Sequence, residues 1–142
     1  MTGPDGLLQI HIDGGSRGNP GPAGYGVYVQ DATGAEVASL YGFLGVATNN
    51  AAEYQGLIQG LRFALERGAR QVRVFSDSEL VVKQIGGTYK VKHPGMIPLH
   101  REASLLLRRF EGWSVTHVPR EQNREADRLA NRALDEQASG RA

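Results

Sequence analysis

Cysteine is absent from the 142 residues, so neither a disulfide framework nor a thiolate metal site can form. No apolar run approaches the roughly 20 residues that span a bilayer, and no membrane partner is expected. The opening stretch, MTGPDGLLQIHIDGG, has no basic segment followed by a long apolar one and does not read as a signal peptide. These absences together point to a reducing, cytoplasmic setting. Neither sign of charge dominates. The formal net charge is +1, whereas a protein that coats nucleic acid is usually far more basic. HExxH, a Walker A loop, GxGxxG and GxSxG are all missing, which removes the metalloprotease, P-loop, dinucleotide and serine-hydrolase readings that such strings would support.

What is present fits one α/β domain over residues 1–142, with about 1–6 and 138–142 expected to be disordered. A chain of this size buries about 70% of its unfolded surface, enough for a core, and 40% hydrophobic and 22% charged residues are ordinary values. Leu8, Ile10 and Ile12 alternate as in a half-buried strand. The Gly- and Pro-rich GGSRGNPGPAG then reads as a tight connection. YGVYVQ and EVASLYGFLG, separated by DATG, make a hairpin pattern. From Thr48 the period becomes helical, with Tyr54, Leu57, Ile58, Leu61, Ala64 and Leu65 as its stripe and Gly68 as its stop. VRVFS (72–76) is a strand, SELVVKQI a short helix, and a helix opens at Pro98. WSVTHV (113–118) is a last strand and NREADRLANRALDEQ a last helix. The order β-β-β-α-β-α-α-β-α predicts a five-stranded mixed sheet flanked by helices, with its site beyond the carboxyl ends of the parallel strands.

Four acidic residues stand where a purely structural carboxylate is awkward. Asp13 and Asp77 end apolar strand patterns. Glu53 shares a helix face with Leu57, Gly60 and Ala64, and Asp127 shares one with Ala130 and Leu134. Each has an ordinary alternative: first-turn acids favour a helix dipole by about 0.3–1 kcal/mol, and strand-end aspartates cap helices or form turns. Charges facing a core are costly without partners, so two inward first-turn acids and two strand-end acids argue for one shared cation site. An all-oxygen donor set selects Mg²⁺ or Mn²⁺ over zinc. Two such ions about 4 Å apart suit phosphodiester hydrolysis.

Four strings, IDGGSRGNPGPAGYG (12–26), TNNAAEYQGLIQGL (48–61), FSDSELVV (75–82) and NREADRLAN (123–131), carry a resemblance to type 1 ribonuclease H. The resemblance implies a ribonuclease H-like fold and a monomeric endonuclease that cuts the RNA strand of RNA–DNA hybrids, leaving 5′-phosphate and 3′-hydroxyl ends. It implies two Mg²⁺ ions, replaceable by Mn²⁺, held by Asp13, Glu53, Asp77 and Asp127. In that scheme Asp13 bridges the ions and Asp127 serves the water-activating side. Glu53 and Asp77 serve the leaving-group side, and Glu53 also meets the 2′-hydroxyl that marks RNA. Asn19, Thr48, Asn49 and Asn50 fall on hybrid-contacting positions, and Arg17 is expected to meet a phosphate. Cleavage of double-stranded RNA as well, or a catalytically silent hybrid-binding module, are the alternatives.

The chain departs from many relatives in three places. PREQN is a short loop before the last helix, where a mobile histidine is common. Arg120 is expected to act there electrostatically, and His117 to be a strand side chain. GGTYKVKHPGMIP replaces a long basic, Trp-containing protrusion, which predicts weaker and salt-sensitive hybrid binding. Glu79 replaces a neutral amide, to an effect the sequence leaves open. No separate hybrid-binding module is expected at either end.

Overall fold

A computed structural model of the chain describes residues 6–139. Its elements are β1 (Leu7–Ser16), β2 (Gly21–Asp31), β3 (Glu36–Ala47), α1 (Asn49–Glu66), β4 (Gln71–Ser76), α2 (Glu79–Ile85), α3 (Ile97–Leu107), β5 (Gly112–His117) and α4 (Arg124–Ser139), with a 3-10 turn at Arg120–Gln122. The sheet order is β3-β2-β1-β4-β5. The first three strands pair antiparallel, while β4 runs parallel to β1 and β5 parallel to β4. This is the mixed sheet and element order that the hydrophobic periods predict.

Strand alternation sorts the two faces. Leu8, Ile10 and Ile12 on β1, with Val27, Val29, Val72 and Val74, meet Tyr54, Leu57, Ile58 and Leu61 of α1 in a buried cluster that Ala103, Leu107 and Phe110 complete. Each fully buried large side chain contributes about 1.5–3 kcal/mol. On the other face α4 buries Ala126, Leu129, Ala130 and Ala133. Gly26 makes that approach possible: a Cβ there would lie 2.3 Å from the Ala126 carbonyl oxygen. Gly60, on the inward face of α1, plays the expected smaller part, since a Cβ there would sit 2.9 Å from Ile10. Among the described residues no helix is long and apolar enough to cross a membrane.

The largest difference from the sequence pattern is at the first turn. β1 continues to Ser16 and β2 starts at Gly21, so only residues 17–20 connect them, closed by Arg17 N–H donating to Pro22 O at 2.8 Å. Glycines hide strand alternation because they carry no side chain, yet their backbones pair normally: Asp13, Gly14 and Gly15 face Gly26, Tyr25 and Gly24. Thr48 caps α1 through Oγ1, which accepts from Ala51 N, and Gly68 follows the helix at φ +76°. The expected disorder at 1–6 and 138–142 falls mainly outside the described residues. Within them, Gly6 is buried and its carbonyl accepts from Arg70 and Gln71 N–H, and α4 extends to Ser139.

Candidate active site

The parallel pairing of β1 with β4 ends at Ile12 opposite Ser76. Asp13 comes next on β1 and Asp77 is the residue just past the end of β4, so neighbouring strands deliver two carboxylates to one spot. The third arrives from α1. Gly14 lets the first turn of that helix close on β1, because a Cβ at 14 would lie 2.3 Å from the Ala52 carbonyl. Glu53, one turn into the helix, is thereby 2% exposed beside the strand ends. One carboxylate oxygen from each of Asp13, Glu53 and Asp77 lies within 4.8 Å of the other two. Asp127, in the first turn of α4, lies close enough to Asp13 and Asp77 to raise the pKa of both. Three of the four acids, distant in sequence, converge; Asp127 stands outside that trio and lines the same cavity as Asp13 and Asp77.

Their electrostatics are those of crowded like charges. Burial, then Glu53 and Asp77, push the Asp13 carboxyl up to about 9. Burial pushes Glu53 up to about 8, with Asp77 adding to the rise and hydrogen bonds from Ser76 and Gly14 opposing it. Asp77 is also raised, by burial and by Asp127, while Arg120 and His117 pull it down. Arg120 lies 3.9 Å from Asp127 but is 80% exposed, too solvated to neutralise the buried acids. Asp13, Asp77 and Asp127 line an open cavity of 640 Å³ together with Arg17, His117 and Arg120.

The remaining expected residues lie around this cavity in less uniform roles. Arg17 is on its wall, with Nη2 2.5 Å from Asp135 of α4. Asn19 and Asn49 tie the 17–20 turn to the start of α1: Asn49 N–H donates to Asn19 Oδ1 at 3.1 Å, and Asn49 Oδ1 accepts from Ser16 N–H at 2.8 Å. Asn50 is half-buried at the same helix end, and Thr48 is its cap. Glu79 is not one of the clustered acids; it lies 3.8 Å from Lys83. Lys83 in turn sits 5.0 Å from the ring of Tyr89 in the shortened loop.

Three residues near the site were not singled out by sequence reasoning, or were read differently. His117 is a strand residue, as expected, yet it is the last of β5 and its side chain lines the cavity. Asn123, 1% exposed, donates from Nδ2 to Ile12 O at 2.8 Å, while its backbone carbonyl accepts from Asp127 N–H. It links the strand of Asp13 to the helix of Asp127. Ser76 is fully buried against Glu53. Its signal was available: a hydroxyl in the inward row Val72, Val74, Ser76 breaks the apolar pattern.

The family model described as reverse transcriptase-like matches residues 11–133. The chain is 43% identical over 131 residues to ribonuclease HI of Halobacterium salinarum, covering 92% of this chain and 66% of the relative. The crystal structure of that archaeon's RNase H1 superposes with a TM-score of 0.89 at 42% identity, covering 92% of this chain and 98% of that one. The chain belongs to the ribonuclease H family. Ribonuclease H members are endoribonucleases, and two further relatives refine the comparison. The bifunctional protein Rv2228c of Mycobacterium tuberculosis is 49% identical over 136 residues, covering 95% of this chain but 37% of the relative. The chain thus spans a little over a third of that protein's length. The structure of its N-terminal RNase H domain gives a TM-score of 0.91 at 47% identity, over 96% of this chain and 99% of that one. LC11-RNase H1, solved in complex with an RNA/DNA hybrid, gives 0.87 at 37% identity, over 92% of this chain and 99% of that one.

Proposed function

We propose that the chain hydrolyses the RNA strand of RNA–DNA hybrids, without strong sequence preference, leaving 5′-phosphate and 3′-hydroxyl ends. The observation that carries this reading is the convergence of Asp13, Glu53 and Asp77 within 4.8 Å, with Asp13 and Asp77 lining an open cavity and Glu53 buried behind them. The hybrid bound by LC11-RNase H1 supports the substrate class.

The residues fit a pair of Mg²⁺ or Mn²⁺ ions. The donors are all hard carboxylate oxygens, and at least two are held far above their ordinary pKa by burial and mutual repulsion, a strain that cations relieve. Asp13, Glu53 and Asp77 would hold the ions, with Asp127 adding a further carboxylate from the cavity wall. When bound, such a pair supplies Lewis acidity, which yields a nucleophilic water near neutral pH and stabilises the departing oxygen. The protein's own groups do the rest. Gly14 and Asn123 fix the strand that carries Asp13, through the close approach of α1 and the bond to the Ile12 carbonyl. Arg120, exposed beside Asp127, meets phosphate electrostatically and stays charged throughout. Glu53 faces the 2′-hydroxyl. Asn19, Thr48, Asn49 and Asn50 place the hybrid's minor groove over the cavity, and Arg17 contacts a phosphate. A monomer suffices, because one chain supplies all four acids.

A labelled RNA–DNA hybrid incubated with Mg²⁺, Mn²⁺ or EDTA tests the reading, with double-stranded RNA and DNA duplexes in parallel. Cleavage of the hybrid's RNA strand with either metal and none in EDTA is expected. A chain that binds the hybrid and cuts it under no metal condition would instead be a silent binding module. Comparable cutting of double-stranded RNA would widen the substrate class.

A further inference from the structure

Ser76 occupies the third place in an inward row whose first two members, Val72 and Val74, are 1% and 0% exposed. A hydroxyl there is costly to bury unless both its donor and its acceptor capacity are used. Both are. Ser78 N–H donates to Ser76 Oγ at 3.0 Å, and the Ser76 hydroxyl donates to Glu53 Oε2. Glu53 when ionised can only accept, so the single hydroxyl proton of Ser76 points at the carboxylate while an oxygen lone pair takes the Ser78 amide. We propose that Ser76 is a positioning residue, whose hydroxyl orients Glu53 and pins the peptide of Asp77 so that both present oxygens to a divalent cation in one fixed arrangement. The assignment rests on the metal-dependent hydrolase reading.

The topology makes this one hydroxyl serve two ligands. Ser76 is the last paired residue of β4, opposite Ile12 on β1 and His117 on β5. The residue after it is Asp77, and the residue after Ile12 is Asp13. Accepting from Ser78 closes a tight loop around Asp77. Ser78 then caps α2 by accepting from Val81 N–H at 3.3 Å. Asp77 is therefore clamped between two serines, one anchored in the core and one starting a helix. Glu53 gains a donor from each of two strands, Ser76 Oγ–H from β4 and Gly14 N–H from β1. Partners that orient a metal-binding carboxylate typically account for 10–100-fold in metal affinity. A serine that merely filled space in the core would contribute to stability alone.

The test compares wild type with Ser76→Ala, Ser76→Cys and Ser76→Thr. Cysteine keeps the volume but donates weakly, while threonine keeps the hydroxyl and suits a strand. Mn²⁺ binding to substrate-free protein is measured by calorimetry, the Mg²⁺ concentration for half-maximal hybrid cleavage by titration, and the melting temperature in EDTA. Ser76→Ala and Ser76→Cys are expected to weaken Mn²⁺ binding and raise the Mg²⁺ requirement by about 10–100-fold, with Ser76→Thr close to wild type. Two results overturn the assignment: metal affinity in Ser76→Ala and Ser76→Cys equal to wild type, whatever their melting temperatures, or a Ser76→Thr as impaired as Ser76→Ala. Loss of folding in both hydroxyl-less variants would also count against it, since the role would then be structural. Wild type that neither binds Mn²⁺ nor cleaves would instead defeat the hydrolase reading itself.

Discussion

Replacing Asp13 by Asn should make the metal-free protein more stable while destroying its activity. Oxygens of Asp13, Glu53 and Asp77 lie within 4.8 Å of one another, and two unit charges at that distance repel by roughly 3.5 kcal/mol at an effective dielectric constant of about 20. The folded protein avoids much of this by holding protons: Asp13 is pushed up to about 9 and Glu53 up to about 8. The sign follows from linkage. A carboxyl whose folded-state pKa exceeds its unfolded value binds its proton more tightly when folded. Stability is therefore greatest at low pH and falls as the pH climbs from about 4, where the unfolded carboxyl ionises, toward the folded value. At pH 8 the cost of keeping Asp13 protonated has a ceiling of several kcal/mol. Water and counterions in the open cavity reduce it, and we take about 2–3 kcal/mol as the gain on Asp13→Asn. For a chain of 142 residues that is an increase of about 7–10 °C in melting temperature. Calorimetric melts in EDTA at pH 5 and pH 8 measure it, with the gain largest at pH 8. Mg²⁺ at about 100 times its dissociation constant should then add about 2.7 kcal/mol to wild type and nothing comparable to the variant, which removes or inverts the difference. An Asp13→Asn protein less stable than wild type in EDTA at pH 8 would refute the claim that these acids strain one another.

Other outcomes follow from neighbouring contacts. Arg120→Ala should lower turnover by about tenfold through loss of a phosphate-facing charge, and His117→Ala by less. Steady-state kinetics on a hybrid compare them, and equal, negligible losses would discard the electrostatic role. Gly14→Ala drives a Cβ to 2.3 Å from the Ala52 carbonyl and should cost more than about 3 kcal/mol in denaturant unfolding. A fully stable variant would mean that α1 can stand off from β1. Asn123→Ala leaves the Ile12 carbonyl unpaired at a cost of about 1–3 kcal/mol, and Asn123→Asp adds a buried carboxylate beside it. The Asp variant should melt below the Ala variant at pH 7, with the gap closing on acidification because a buried carboxyl is protonated more readily in the folded state. Hybrid affinity should fall at least about tenfold between about 50 and about 200 mM salt; tight binding above that range would show that the loop around Tyr89 grips more than its few cations suggest.

The chain's own chemistry determined the element order and the four acids. Valine and isoleucine alternation marked β4, and the i, i+4, i+7 stripe through Glu53, Leu57 and Gly60 marked the inward face of α1, because both periods come from local backbone geometry. Strand ends and first helical turns are also local features, so Asp13, Asp77, Glu53 and Asp127 stood out before any contact was known. The span from Gly14 to Ser16 was less legible, since glycine carries no side chain to display a face. What only the tertiary structure decided were pairings between distant segments. Asn123 reaching the Ile12 carbonyl, Ser76 meeting Glu53, and Arg17 turning to Asp135 are each set by which strands and helices become neighbours. His117 looked like any strand residue until the sheet placed the end of β5 beside Asp77. The raised pKa values belong to the same class, because repulsion between carboxylates depends on their distance in space, and no spacing along the chain encodes 4.8 Å.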